Sequence, residues 1–253
     1  MRKLIAGYPS RQDSLNTKIS MASLWCVLFC CWSFNIYAQE DQNLSRAYAA
    51  FDYQIGEQNM ELYNGPLLIE KFENRTNTHP YFLIDGFSKG KVVFKGQPYF
   101  DQNIKYNTFS DQLVITPKYN ASALVVKLVK EHVSEFHIQD HHFIRLPNTS
   151  SNGVDPGYLE LIAKGKERML LKKHGKKKND IRGEELVITE YTETTDYFIY
   201  HNKELYKANS KRQWKDLFPE QTKTVNKVYK DLRKAYGKDQ DTFYNLLFLE
   251  LTK

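Results

Sequence analysis

The sequence predicts an α+β fold that is mainly β: a curved, mostly antiparallel sheet (a meander, half-barrel or sandwich) with two or three C-terminal helices. Three observations carry this expectation. Between residues 81 and 200, runs rich in Val, Ile, Tyr and Phe recur about every eight to twelve residues, separated by Gly, Pro, Asn and Asp, as consecutive strands do. Within residues 103–108, Ile104, Tyr106 and Thr108 alternate with Asn103, Lys105 and Asn107, which gives that strand one dry and one wet face. After Ser210 the apolar spacing changes to that of a helix.

The first element is not part of the fold. Residues 24–32 (LWCVLFCCW) form an apolar run preceded by Arg2, Lys3, Arg11 and Lys18 and followed by the polar-leaning Asn35-Ile36-Tyr37-Ala38-Gln39. This is the layout of a secretory signal peptide over residues 1–38, cleaved after Ala38, with translation starting at Met1 or Met21. The run falls short of the roughly 20 residues that a transmembrane helix needs. Cys26, Cys30 and Cys31 all lie inside it, so the mature chain carries no thiol, disulfide or cysteine-based metal site. An exported protein without cysteine suits a bacterial periplasm or cell surface. The 253-residue chain has a net charge of +6; without residues 1–38, which hold those four basic residues against Asp13, it is +3, an ordinary balance that does not call for nucleic acid.

The predicted mature domain divides into a β-rich body over residues 39–208 and helices over 209–253 that pack on it. Residues 39–60 form a polar arm in which Leu44, Ala47, Tyr48 and Phe51 allow a short helical turn that docks through its aromatics. Asn64-Gly65-Pro66 is a turn. Strands follow over 81–84, 91–95, 103–108 and 112–116, then over 123–129, whose apolar run reads as covered on both faces. Phe136 and Ile138, then Phe143 and Ile144, flank a turn at Gln139-Asp140-His141 as in a hairpin, and residues 148–157 are a loop. Strands over 158–164 and 168–173 lead into a basic tip, 172–178, and then to strands over 186–191 and 197–200. Ser210 and Gln213 have capping-box spacing ahead of Trp214, Leu217 and Phe218. Val225, Val228, Tyr229, Leu232, Ala235 and Tyr236 form one helical stripe, and Phe243, Leu246, Leu247 and Leu251 another.

Few residues suggest chemistry. His132, Glu135, His137, His141 and His142 fall within eleven positions, and His132, His137, His141 and His142 are the candidate metal ligands, provided that they converge on one side of a hairpin. The zinc-protease spacings are absent, and Phe136 and Ile138 alternate with His137 and Gln139 as in a strand, so exposed hairpin histidines are the favoured reading. Lys172, Lys173, Lys176, Lys177 and Lys178 form a tip able to touch an anionic membrane surface. There is no Gly-x-Ser-x-Gly elbow and no phosphate loop, and adjacent Glu184 and Glu185 point to opposite faces of a strand. Tyr99, Phe100, Tyr106, Tyr119, Tyr158, Tyr191, Tyr197 and Tyr200 make a tyrosine-rich sheet that either lines a cavity or packs.

Asn64-Gly65, His79-Pro80-Tyr81-Phe82, the run GKVVFKGQPYFDQNIKYNTFSDQLVI over 90–115, Gly157-Tyr158-Leu159-Glu160-Leu161 and the segment 214–239 occur together. In these features the chain resembles a group of uncharacterised exported β-rich proteins of Gram-negative bacteria. The resemblance implies an envelope location, periplasm or cell surface, and brings no functional residues with it. The missing catalytic motifs and the aromatic strands give the expected function, which is non-enzymatic and without a cofactor: binding of an envelope partner or an apolar ligand on the tyrosine-rich sheet. The alternative is a metal-dependent hydrolase built on the histidine cluster between His132 and His142.

Overall fold

The computed structural model describes residues 43–56, 59–69, 78–118, 124–146, 156–182 and 187–253. Residues 1–42 with the three cysteines, Tyr119, Ala123, residues 147–155, Glu184 and Glu185 lie outside them. The chain divides into two compact units, 1–47 and 48–253. Residues 43–47, the described part of the first, are helical. The second unit holds the sheet and the C-terminal helices.

Helix α1 (48–55) comes first. Ten strands follow: β1 (Ser88–Phe94), β2 (Gln97–Asn107), β3 (Gln112–Thr116), β4 (Val126–Lys127), β5 (Val133–Ile138), β6 (His141–Arg145), β7 (Tyr158–Lys164), β8 (Arg168–Arg182), β9 (Val187–His201) and β10 (Glu204–Lys207). The chain ends with α2 (Lys211–Leu217), α3 (Thr222–Tyr236) and α4 (Gln240–Leu251). The strands form one open antiparallel sheet in the order β10-β9-β8-β7-β6-β5-β1-β2-β3-β4. Two-residue turns join several neighbours. Lys95-Gly96 and Asn202-Lys203 have positive φ at both positions, the geometry whose twist matches that of paired strands.

Three differences from the sequence reading have local causes. The run at 81–84 supplies a single bridge, Tyr81 to Asn107, because Leu83 takes a φ of +55° and the chain bends before β1. In 124–129 the strand shrinks to Val126–Lys127: Leu128 still donates to the Leu113 carbonyl, its in-register partner, and the chain then turns into a 3-10 helix at Lys130–His132. The largest correction concerns the lysine run. It is no tip: β8 continues through it to Arg182, with β9 opposite, where Lys176 faces Glu193 and Lys178 faces Tyr191. Threonines and a tyrosine on β9 suit a pleated partner well enough to carry the hairpin past the lysines. The arm is also corrected: α1 turns Tyr48 towards Phe100 and buries Asp52, while Phe51 stays 50% exposed.

The sheet curls round its own aromatic residues. Tyr106 on β2 touches Tyr158 on β7 at 5.8 Å between ring centroids, although β6, β5 and β1 lie between those strands. Phe136 stacks on Phe143 at 4.7 Å, and Phe82 meets Phe143 edge-on at 5.1 Å. Further along, Leu170, Tyr197 and Ile199 pack against Trp214, Phe218, Val225, Phe243, Leu247, Phe248 and Leu251 of the helical layer. The other face is closed by Leu159, Leu171 and Leu205 with Phe198 and Tyr200. The capping box at Ser210 and Gln213 is formed, and Trp214 donates its indole N–H to the Ala208 carbonyl at 2.8 Å. Ala235 and Tyr236, expected in the apolar stripe of α3, are exposed beyond the edge of this core.

Candidate functional site

One row of cross-strand partners decides where the polar side chains meet. Val92, Phe136, Phe143, Glu160, Lys172 and Tyr197 sit opposite one another across six strands and share a face. Its first three members and Tyr197 enter the cores on that face; Glu160 and Lys172 interrupt it, and both are buried. A charge placed there must be paired. Lys172 donates to Asp241 Oδ2 on α4 at 2.7 Å, and the Tyr197 hydroxyl donates to Asp241 Oδ1. Glu160 is held between two imidazoles, His141 Nδ1 at 2.5 Å and His174 Nε2 at 2.6 Å, under the ring of Phe82. Burial pushes the Glu160 carboxyl up, but the hydrogen bonds and charges of His174 and His141 outweigh it and hold the group below its ordinary value.

The register also settles the four candidate ligands. His137 and His142 are cross-strand partners, stacked at 4.0 Å, with Glu135 Oε2 at 3.1 Å from His142 Nε2. His141 pairs with Ile138 and faces the opposite side, towards Glu160. His132 lies edge-on to Phe94 in the short 3-10 turn before β5. The sheet thus separates what the sequence places within eleven positions, because neighbouring strand residues point to opposite faces. Among the described residues no group of three His, Cys, Asp or Glu side chains is placed to hold a metal ion. Burial, then the charge of His142, pushes the His137 imidazole below its ordinary value.

Four of the five lysines are individually anchored. Lys172 is tied to α4, Lys173 donates to Asp111 at 2.7 Å and Lys176 donates to the His79 carbonyl at 2.7 Å. Lys178 pairs with Asp180 at 2.9 Å on the exposed end of β8, and Lys177 lies beside it in solvent. Asp111, in the turn between β2 and β3, accepts from Lys130, Lys173 and the Tyr106 hydroxyl. Although burial pushes its carboxyl up, Lys173 and the hydrogen bonds bring the net shift down. This cluster pins β8 to the far side of the curled sheet.

Tyr99, Tyr106, Tyr158 and Tyr197 fill the concave side rather than line a cavity. Two hollows among the described residues lie elsewhere: a cleft of 390 Å³ between α1 and β2, and a smaller one of 120 Å³ near Phe94 and His132. Glu160, His174, Asp111 and Asp52 were not singled out by sequence reasoning. The available signal was a carboxylate in phase with inward-facing Tyr158, two residues before it in an otherwise apolar strand; for Asp111, which sits in a turn, and for Asp52 no comparable sign exists. No protein-family model, curated protein or solved structure matches the chain.

Proposed function

We propose that the protein is a non-enzymatic binding protein exported to the bacterial envelope, and that it takes up an acidic, extended segment of a partner protein along the edge of β8. Export rests on the signal-peptide layout of residues 1–38. Partner binding rests on one observation. β7 pairs with β8 only up to Lys172, yet β8 runs on to Arg182, so from Lys173 that edge meets no strand among the described residues. An edge of this length beside which no described strand lies is a template for strand addition.

The register of the β8–β9 ladder sets which groups of that edge point outward. The Tyr191 N–H is turned away from β8 and donates to the Thr78 hydroxyl at 3.0 Å. Its cross-strand partner Lys178 therefore also directs its N–H outward, towards the open side. Lys177 and Arg182, with Lys178 paired to Asp180, leave this end of the strand with a net basic lining, which favours an acidic segment.

Lys178→Pro tests the reading, because it removes an outward N–H without touching the ladder to β9. A photo-crosslinker at residue 177 is expected to trap an envelope protein through an acidic extended stretch, and the adduct should disappear in the proline variant. No adduct, or one unchanged by the proline, rejects the proposal.

A further inference from the structure

Most lysines of β8 are tied down within the molecule; those of α3 point into solvent. Lys223, Lys227, Lys230 and Lys234 follow one another at steps of four, three and four residues, and all are exposed. At 3.6 residues per turn they fall within an arc of about 60° and form a row about 16 Å long. The arc lies opposite the stripe of Val225, Val228, Tyr229 and Leu232 that packs into the helical core. The row therefore runs along the solvent ridge of α3. Among the described residues no carboxylate pairs with any of its four members.

For the helix itself this is a poor arrangement. Lys223 sits in the first turn, at the positive end of the helix dipole, where α3 has no acidic residue. Lys223 with Lys227, and Lys230 with Lys234, are like charges four residues apart, which repel across one turn. α3 holds five basic residues against Asp231, a net +4, whereas the whole chain without residues 1–38 carries +3. The positive charge is thus gathered on one helix and works against that helix's stability. Such a row points to an anionic surface outside the chain.

We propose that α3 rests lengthwise on an anionic bilayer, its four lysines among the lipid headgroups. A straight ridge meets a plane along its whole length, and it offers a folded partner no groove or strand edge. Ammonium groups on flexible stems follow a fluid layer of phosphates. The arc holds no arginine fork for fixed recognition of a single phosphate and no aromatic ring for stacking on bases. Because the apolar stripe of α3 is already packed, the helix does not insert, and the contact is peripheral and electrostatic. The face is separate from the β8 edge and does not depend on it.

Flotation of the protein, purified as cells accumulate it, with phosphatidylcholine vesicles that contain or lack phosphatidylglycerol tests the proposal. Binding is expected only when phosphatidylglycerol is present and should fade as salt rises. The neutral vesicles register any apolar contribution of residues 24–32. Lys223→Glu with Lys230→Glu should weaken binding by more than about tenfold, since each lysine near such a surface contributes about fivefold. The same double variant puts an acid in the first turn and a glutamate four residues before Lys227 and before Lys234. Its urea midpoint should therefore hold or rise, which separates binding from folding. An equal charge change at the far end of β8, Lys177→Glu with Lys178→Glu, should leave vesicle binding nearly unchanged. Equal binding to neutral vesicles, insensitivity to salt, no binding, full binding by the α3 variant or a lower midpoint for it overturns the proposal. So does an equal loss in the two double variants, or retention on duplex DNA or polyglutamate but not on the vesicles.

Discussion

Glu160 shows what a single side chain does to the acid stability of this molecule. Its carboxyl is held below the ordinary glutamate value of about 4.3 by His174 and His141. A depressed carboxylate contributes stability that is complete above the ordinary value and is lost as pH falls through the folded-state value. Asp111 contributes in the same sense over the aspartate range. His137 acts earlier: its lowered affinity for a proton makes acid favour the unfolded chain once pH drops below about 6.5. Urea midpoints followed against pH should therefore be level near neutrality, fall from about pH 6.5, and fall again below about pH 4.3. In Glu160→Gln the second fall should be shallower and the first unchanged, with a loss at neutral pH of roughly 2 kcal/mol for the bonds to the imidazoles. An acid limb identical to that of the wild type would show that the two histidines do not hold the carboxylate.

At the scale of elements, β1 is the strand on which the curl depends. It is flanked by β5 and β2, and Gly90 lies where both crowd it. A Cβ at Gly90 would stand 2.2 Å from the His137 carbonyl oxygen and 2.3 Å from Ile104 Cδ1. The first of these atoms is backbone and cannot turn aside. Gly90→Ala is expected to cost about 2–3 kcal/mol by overpacking, read as a lower urea midpoint with an unchanged slope. A neutral result would mean that β1 and β5 can separate without loss. The helices present the opposite case. The start of α2 and the apolar positions were legible, because capping and a 3.6-residue stripe are local properties. The last turn of α3 was misread for the same reason, since nothing local says where the sheet beneath it stops.

In the molecule as a whole, the β8–β9 end of the sheet shares a core with the helical layer, while the rest of the sheet packs round its own aromatic cluster. Trp214 packs with Tyr244 and Phe218, and Leu170, Tyr197 and Ile199 of the sheet belong to the same cluster. Helices of seven to fifteen residues do not hold together in water without such contacts. With Trp25 and Trp32 replaced by phenylalanine, Trp214 fluorescence and the far-UV β signal should lose structure in one coincident urea transition. Two separated transitions would show that the helical layer folds by itself.

By itself, the sequence determined the local grammar of this protein: strands by alternation and β-branched content, turns by Gly, Asn and Asp, and helices by caps and stripes. Only the tertiary structure decided which polar groups meet. Glu160 lies nineteen positions from His141 and fourteen from His174, and Lys172 lies sixty-nine from Asp241. Strand register and curl fix those encounters, and both are set by the packing of aromatic rings across the sheet. The same physics took apart the histidine cluster: His137 and His142 share one face of the β5–β6 hairpin, His141 the other, and His132 lies in the turn before it.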